Sequence, residues 1–144
     1  MTARLIICEK SGHWAAALRR AAGRHELPIG EVRSPEQAQR ELAQRPASIL
    51  AIEVSAASVA KTASQVAAWR IRYPAAQFLL LADPDLNSLE PELREAGACH
   101  VVYSTRDLAA TVRLIRRHLA RAPRPHLSLE ESIWAALPWP SASA

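Results

Sequence analysis

The chain has 144 residues, of which 49% are hydrophobic and 22% charged, with a net charge of +4. That is one domain large enough to close a single core, and the balance excludes a disordered chain. No apolar run approaches the ~20 residues of a membrane span, and the opening Met-Thr-Ala-Arg-Leu-Ile-Ile-Cys is cut short by Glu9 and Lys10, unlike a signal peptide. The expectation is therefore a cytoplasmic protein. Two distant cysteines, Cys8 and Cys99, exclude a disulfide scaffold and read as buried free thiols. A pI near 9.7 suits a nucleic-acid binder, but the arginines are scattered over several predicted helices, the pattern of solvated helix faces.

In chain order, Leu5-Ile6-Ile7-Cys8 is a short continuous apolar run, predicting a strand covered on both faces. Ser11 is placed to cap a helix through 12–25, with Trp14, Leu18 and Ala21 or Ala22 inward and Arg19, Arg20 and Arg24 in water. The stretch 28–34 is a weak, polar strand that fits a sheet edge. Ser34-Pro35-Glu36 combines an N-cap, a proline at the first position and a first-turn acid. The helix it starts carries a thin stripe of Ala38 and Leu42, with Ala43 a further candidate, and Pro46 closes it.

Residues 48–54, Ser-Ile-Leu-Ala-Ile-Glu-Val, predict a third strand that climbs to one carboxylate, Glu53. Ser55 or Ser58 caps a helix to about Tyr73, with Val59, Val66, Tyr73 and either Trp69 or Ala63 inward. Phe78 to Leu81 are all apolar, predicting a central strand. A short helix is expected from near Ser88, with Pro91 in its first turn and Gly97 as its stop. The stretch 99–104 predicts a fifth strand. Thr105 or Asp107 then caps a last helix with the apolar stripe Leu108, Val112, Ile115 and Leu119.

Strand and helix thus alternate five times, the pattern of a parallel sheet with right-handed crossovers and helices on both faces. After Ala122 a Pro-rich linker leads to Ser128-Leu-Glu-Glu131, a capping box, and to Leu129, Ile133, Trp134 and Leu137 on one face of about two turns. So short a helix needs a surface to fold on. The division expected is an α/β domain over 1–122 and an appendage over 123–144.

Several chain ends carry a resemblance. Arg-Leu-Ile-Ile-Cys-Glu-Lys-Ser (4–11) resembles the first strand of response-regulator receiver domains, which ends in paired acids. Pro-Ala-Ser-Ile-Leu-Ala-Ile-Glu-Val (46–54) resembles their third strand, which ends in the phosphoacceptor aspartate. Phe-Leu-Leu-Leu-Ala-Asp (78–83) resembles the fourth, ending in Ser or Thr, and Glu-Ala-Gly-Ala-Cys-His-Val-Val-Tyr-Ser-Thr (95–105) resembles the entry to the fifth, ending in Lys-Pro. The resemblance spans about residues 2–122. It implies a flavodoxin-like three-layer α/β/α fold with strand order 2-1-3-4-5. It also implies a crevice where acids hold a divalent cation and an aspartate attacks phosphorus.

At those positions this chain departs from the pattern. Cys8 and Glu9 stand for the acid pair, Glu53 for the phosphoacceptor (or Ile52 in a register moved by one), Ala82 for the hydroxyl and Ser104 for the lysine. Glutamate is one methylene longer than aspartate, alanine cannot bond a phosphoryl oxygen, and serine brings no charge. The expectation is a degenerate receiver-like domain without enzymatic activity, in which Glu53 is a fixed negative charge. A weak cation site of Glu9, Glu53 and Asp83 is the alternative at the same place; no dedicated metal site and no cofactor are expected. The histidines show no metal-ligand spacing, and no GxSxG, GxGxxG or P-loop pattern is present.

Two surfaces are candidates for binding. Arg113, Arg117 and Arg121 recur four apart, on one face of the last helix, and suit an acidic partner; aromatics at 5% argue against nucleic acid. Ile133, Trp134 and Leu137 are candidate anchors of a tethered helix, docking on this chain, on another protein or on a second copy. The function expected is a bacterial, phosphorylation-independent interaction module in signal transduction, with a homodimer through the last helix or tail as one arrangement. The competing expectations are a flavodoxin-like enzyme or flavin- or nucleotide-binding domain, and a nucleic-acid-binding regulator acting through the basic last helix.

Overall fold

The structure is a computed structural model that describes residues 2–24 and 26–123, together with Ile133. Five strands alternate with helices: β1 (Leu5–Cys8), α1 (His13–Ala22), β2 (Ile29–Val32), α2 (Pro35–Gln44), β3 (Ile49–Val54), α3 (Val59–Arg72), β4 (Gln77–Ala82), α4 (Glu90–Ala96), β5 (His100–Val102) and α5 (Ala109–Arg121). The strands form one sheet of order β2-β1-β3-β4-β5, and every neighbouring pair is parallel. The expected architecture and strand order are thus observed.

Alternation along each strand divides the core in two. Ile6, Cys8, Leu50, Ile52, Phe78 and Leu80 face the layer of α2, α3 and α4, meeting Leu42, Val66, Trp69 and Leu93. Leu5, Ile7, Ile49, Ala51, Leu79 and Leu81 face α1 and α5, meeting Trp14, Leu18, Val112 and Ile115. The continuous apolar runs of β1, β3 and β4 follow from this, because each is buried on both faces. The polar β2 lies at an edge, as its composition suggests.

Several local expectations need correction. Gly12, not Ser11, occupies the N-cap of α1, with a φ of 86° that only glycine adopts without strain. The hydroxyl of Ser11 instead lies 2.6 Å from His13 Nδ1. Leu108, not Thr105 or Asp107, is the N-cap of α5, and it gives no side-chain cap. Ala43 is exposed rather than inward, and of the alternatives Ala21 and Ala22 it is Ala22 that is buried. A 3-10 turn over Pro84–Leu89 precedes α4, where a single helix from Ser88 was expected, because Pro84 starts its own turn. The cap at Ser34 is as expected: its hydroxyl accepts from Gln37 N at 3.3 Å.

Candidate functional site

Parallel strands bring all their carboxyl ends to one edge of the sheet, and α/β folds open their crevices there. A crevice of about 950 Å³ lies at that edge, walled among others by Cys8, Glu9, Glu53, Ala82, Asp83 and Ser104. All the residues assigned from the sequence to the phosphorylation-site positions, and the third candidate cation ligand Asp83, therefore meet in one place. Register explains how. Cys8 pairs with Ile52, so Glu9 and Glu53 follow side by side, and Glu53 and Val54 pair with Leu81 and Ala82. Leu5 and Ile7, like Ile49 and Ala51, face α1 and α5. By alternation Glu9 and Glu53 continue those rows toward the start of α1.

Glu9 has a task the sequence did not disclose. Its side chain is fully buried, and its two oxygens accept from the backbone N–H groups of Trp14 (3.0 Å) and Ala15 (2.7 Å). It thereby fills the role of a cap from the preceding strand, two of the first-turn donors of α1 being orphaned otherwise. α1 carries no acid in its own first turn, so Glu9 also supplies the negative charge favoured at a helix N-terminus. Arg33 holds the same loop from β2, donating to Glu9 O at 3.2 Å and Lys10 O at 3.0 Å.

Glu53 is half-buried, and among the described residues its carboxylate has no hydrogen-bond or ion-pair partner. His13 reaches in from α1, its Nδ1 3.7 Å from Glu9 Oε1. Ligand atoms of Glu9, His13 and Glu53 all lie within 4.8 Å of one another. Asp83 is exposed at the crevice rim and is not part of that cluster. His13 was missed in the sequence because its spacing from Glu9 matches no metal motif; the turn at Gly12 creates the juxtaposition.

Cys8 faces the other side of the sheet with Ile52. Burial, then the charges of Glu36, Glu53 and Glu9, push its thiol up to about 11, so it is neither nucleophile nor anionic ligand at neutral pH. Of the cation set implied by the receiver resemblance, two acids from the first strand plus one from the third, Cys8 stands in one place, and the carboxylate of Glu9 in the other bonds the first turn of α1 with one lone pair of each oxygen.

At the end of β5, Tyr103 as well as Ser104 lines the crevice. The Tyr103 hydroxyl donates to Glu90 Oε1 at 2.8 Å, and Arg94 Nε donates to the other oxygen, Oε2, at 3.3 Å. The phenol is thus tied to the first turn of α4. Burial and the Glu90 carboxylate push the Tyr103 phenol up to about 12, while the same bond holds Glu90 below the usual carboxylate range. A raised folded-state value means that this contribution to stability is present below pH ~10 and is lost as pH rises through about 12. In a Tyr73→Phe background, an ultraviolet titration should show Tyr103 ionising near 12 and moving down in Glu90→Gln. Ionisation at the ordinary value of 10.0 would show that the bond is not formed.

The other candidates fare differently. Arg113, Arg117 and Arg121 are exposed on α5, as their spacing predicts. Ile133 is 52% exposed, and Trp134 and Leu137 lie outside the described residues. Cys99 and His100 are half-buried; burial raises the Cys99 thiol, and burial and then Arg94 lower the His100 imidazole. Among the described residues no helix is long and apolar enough to cross a membrane.

No family model matches the chain, and no curated protein matches it in sequence. Solved structures match it in fold. A response regulator from Thermotoga maritima superposes with a TM-score of 0.68 at 13% identity, covering 83% of this chain and 99% of that one. A CheY-like protein (tadZ) from Pseudomonas aeruginosa gives 0.66 at 16% identity, over 81% and 99% of the two chains. An orphan response regulator from Helicobacter pylori gives 0.62 at 17% identity, over 81% and 96%. With its sheet order and its crevice at the carboxyl ends of the strands, the chain has the flavodoxin-like fold of the CheY-like receiver domains.

Proposed function

We propose that this chain is a receiver-like protein-interaction module of signal transduction that works without taking up a phosphoryl group. The observation that carries the reading is the residue set at the crevice. The side chains at the ends of β3, β4 and β5 are Glu53, Ala82, and Tyr103 with Ser104. Transfer to a carboxylate needs a nucleophile held in line, a cation on the phosphoryl oxygens and a second positive group to take up charge. Here Glu53 is one methylene too long, Ala82 has no hydroxyl, and the phenol of Tyr103 is already bonded to Glu90. Lys10 and Lys61 line the crevice from loop and helix rather than from the end of β5. What such a crevice retains is shape and charge, which serve recognition. The exposed arginine row of α5 offers a surface for an acidic partner, and the segment over 123–144 a second binding element.

The test is incubation of the full chain with a small phosphodonor and Mg²⁺, read by intact mass, followed by capture of partners from the treated and untreated protein. No added phosphoryl mass and the same captured partners are expected. One added phosphoryl group that is lost in Glu53→Gln would overturn the reading.

A further inference from the structure

The cluster of Glu9, His13 and Glu53 differs in kind from the all-oxygen cation set that the receiver resemblance implies. We propose that these three side chains form a binding site for a divalent transition metal of borderline softness, with Zn²⁺ as the representative ion. The site joins two carboxylates to one imidazole. Imidazole favours Zn²⁺ and its neighbours over Mg²⁺, which prefers oxygen ligands and keeps its waters. Two ligand atoms at Zn²⁺ bonding distance lie roughly 3.4 Å apart when tetrahedral. The Glu9 Oε1 and His13 Nδ1 atoms stand at 3.7 Å, and the whole donor set lies within 4.8 Å.

Each donor retains capacity for the ion. A carboxylate oxygen has two lone pairs, and the helix cap uses one on each oxygen of Glu9. The carboxylate of Glu53 has no partner among the described residues. His13 is 55% exposed, so the ion has a path from solvent, and its ring needs only an unprotonated Nδ1. The Ser11 hydroxyl now shares that nitrogen at 2.6 Å, and it would turn away when the metal takes the lone pair. Three protein ligands leave a coordination position open toward the crevice, where a partner's carboxylate or a water completes the set.

The experiment is calorimetric titration of Zn²⁺ and, separately, Mg²⁺ into the full chain at neutral pH, with Co²⁺ as a visible-absorption probe. One Zn²⁺ per chain is expected, bound at least roughly tenfold more tightly than Mg²⁺. His13→Gln and Glu53→Gln should each weaken Zn²⁺ by at least ~10–100-fold and abolish the Co²⁺ ligand-field bands, while His100→Gln changes neither. These two variants leave the Glu9 cap in place, and circular dichroism will verify that they fold. Zn²⁺ bound no more tightly than Mg²⁺, or with unchanged affinity in His13→Gln, would overturn the site. Neither result bears on phosphoryl uptake, so this proposal and the preceding one fail separately.

Discussion

Phe78→Ala is expected to destabilise the fold by about 4 kcal/mol, within the range for deleting a buried phenyl ring. Phe78 is the chain's single phenylalanine, is 1% exposed, and sits on β4 between β3 and β5. It points into the layer of α2, α3 and α4, where the Trp69 indole stacks on it at 6.4 Å between ring centroids and 20° between planes. Trp69 in turn donates from Nε1 to Gln39 Oε1 at 3.4 Å, tying α3 to α2. Removing the ring therefore opens a cavity under two helices at once. Urea midpoints would measure the loss. Phe78→Leu, Trp69→Leu and the double variant would isolate the ring pair, with an expected coupling of about 1 kcal/mol. Additivity to within ~0.3 kcal/mol would mean that the rings merely share a core.

That core was legible in the sequence because its signal is local. The apolar runs of β1, β3 and β4 exceed what a half-exposed strand tolerates, and the Pro and Gly residues between them punctuate the units. The polar 28–34 stretch named the edge strand for the same reason. β5 is shorter than expected, three residues from His100 to Val102, because an edge strand pairs on one side alone. Caps were legible where the signal is local: Ser34 bonds its donor one turn on, Ser58 stands at the start of α3 and Gly97 stops α4. At α1 and α5 the loop path decides: Gly12 swings Ser11 away, and Leu108 starts α5 with no polar cap at all. The crevice followed from register, so its members Cys8, Glu9, Glu53, Ala82, Asp83 and Ser104 could be named in advance. The partnerships within it could not. Tyr103 meets Glu90 across thirteen residues and a helix, and His13 meets Glu9 through a left-handed glycine. The identity of a side chain fixes what it can bond, but the partner it finds is set by tertiary geometry.

Glu9→Ala carries this distinction to its largest consequence in the crevice, an expected loss of about 3 kcal/mol. A single side-chain cap contributes ~1 kcal/mol, and a hydrogen bond to a charged group ~1.5–3. Here one carboxylate serves two backbone donors, and both bonds are buried. Alanine leaves the N–H groups of Trp14 and Ala15 unsatisfied inside the protein, where water does not replace the lost acceptor. Trp14 and Ala15 are themselves core residues, so α1 cannot move outward to hydrate them without uncovering Leu5 and Ile7. Glu9→Gln keeps one carbonyl acceptor but turns a second donor toward an N–H, so it should lose roughly half as much. Thermal melts should fall by roughly 10 °C for the alanine variant, at ~2–4 °C per kcal/mol for a domain of this size. A charge stationed in the crevice only for recognition or for cation binding would behave otherwise. Its removal would relieve repulsion with Glu53 and leave stability level or raised. A Glu9→Ala variant within ~0.5 kcal/mol of the native chain would therefore return Glu9 to the role its sequence position suggested, an acid facing the crevice rather than the keystone of α1.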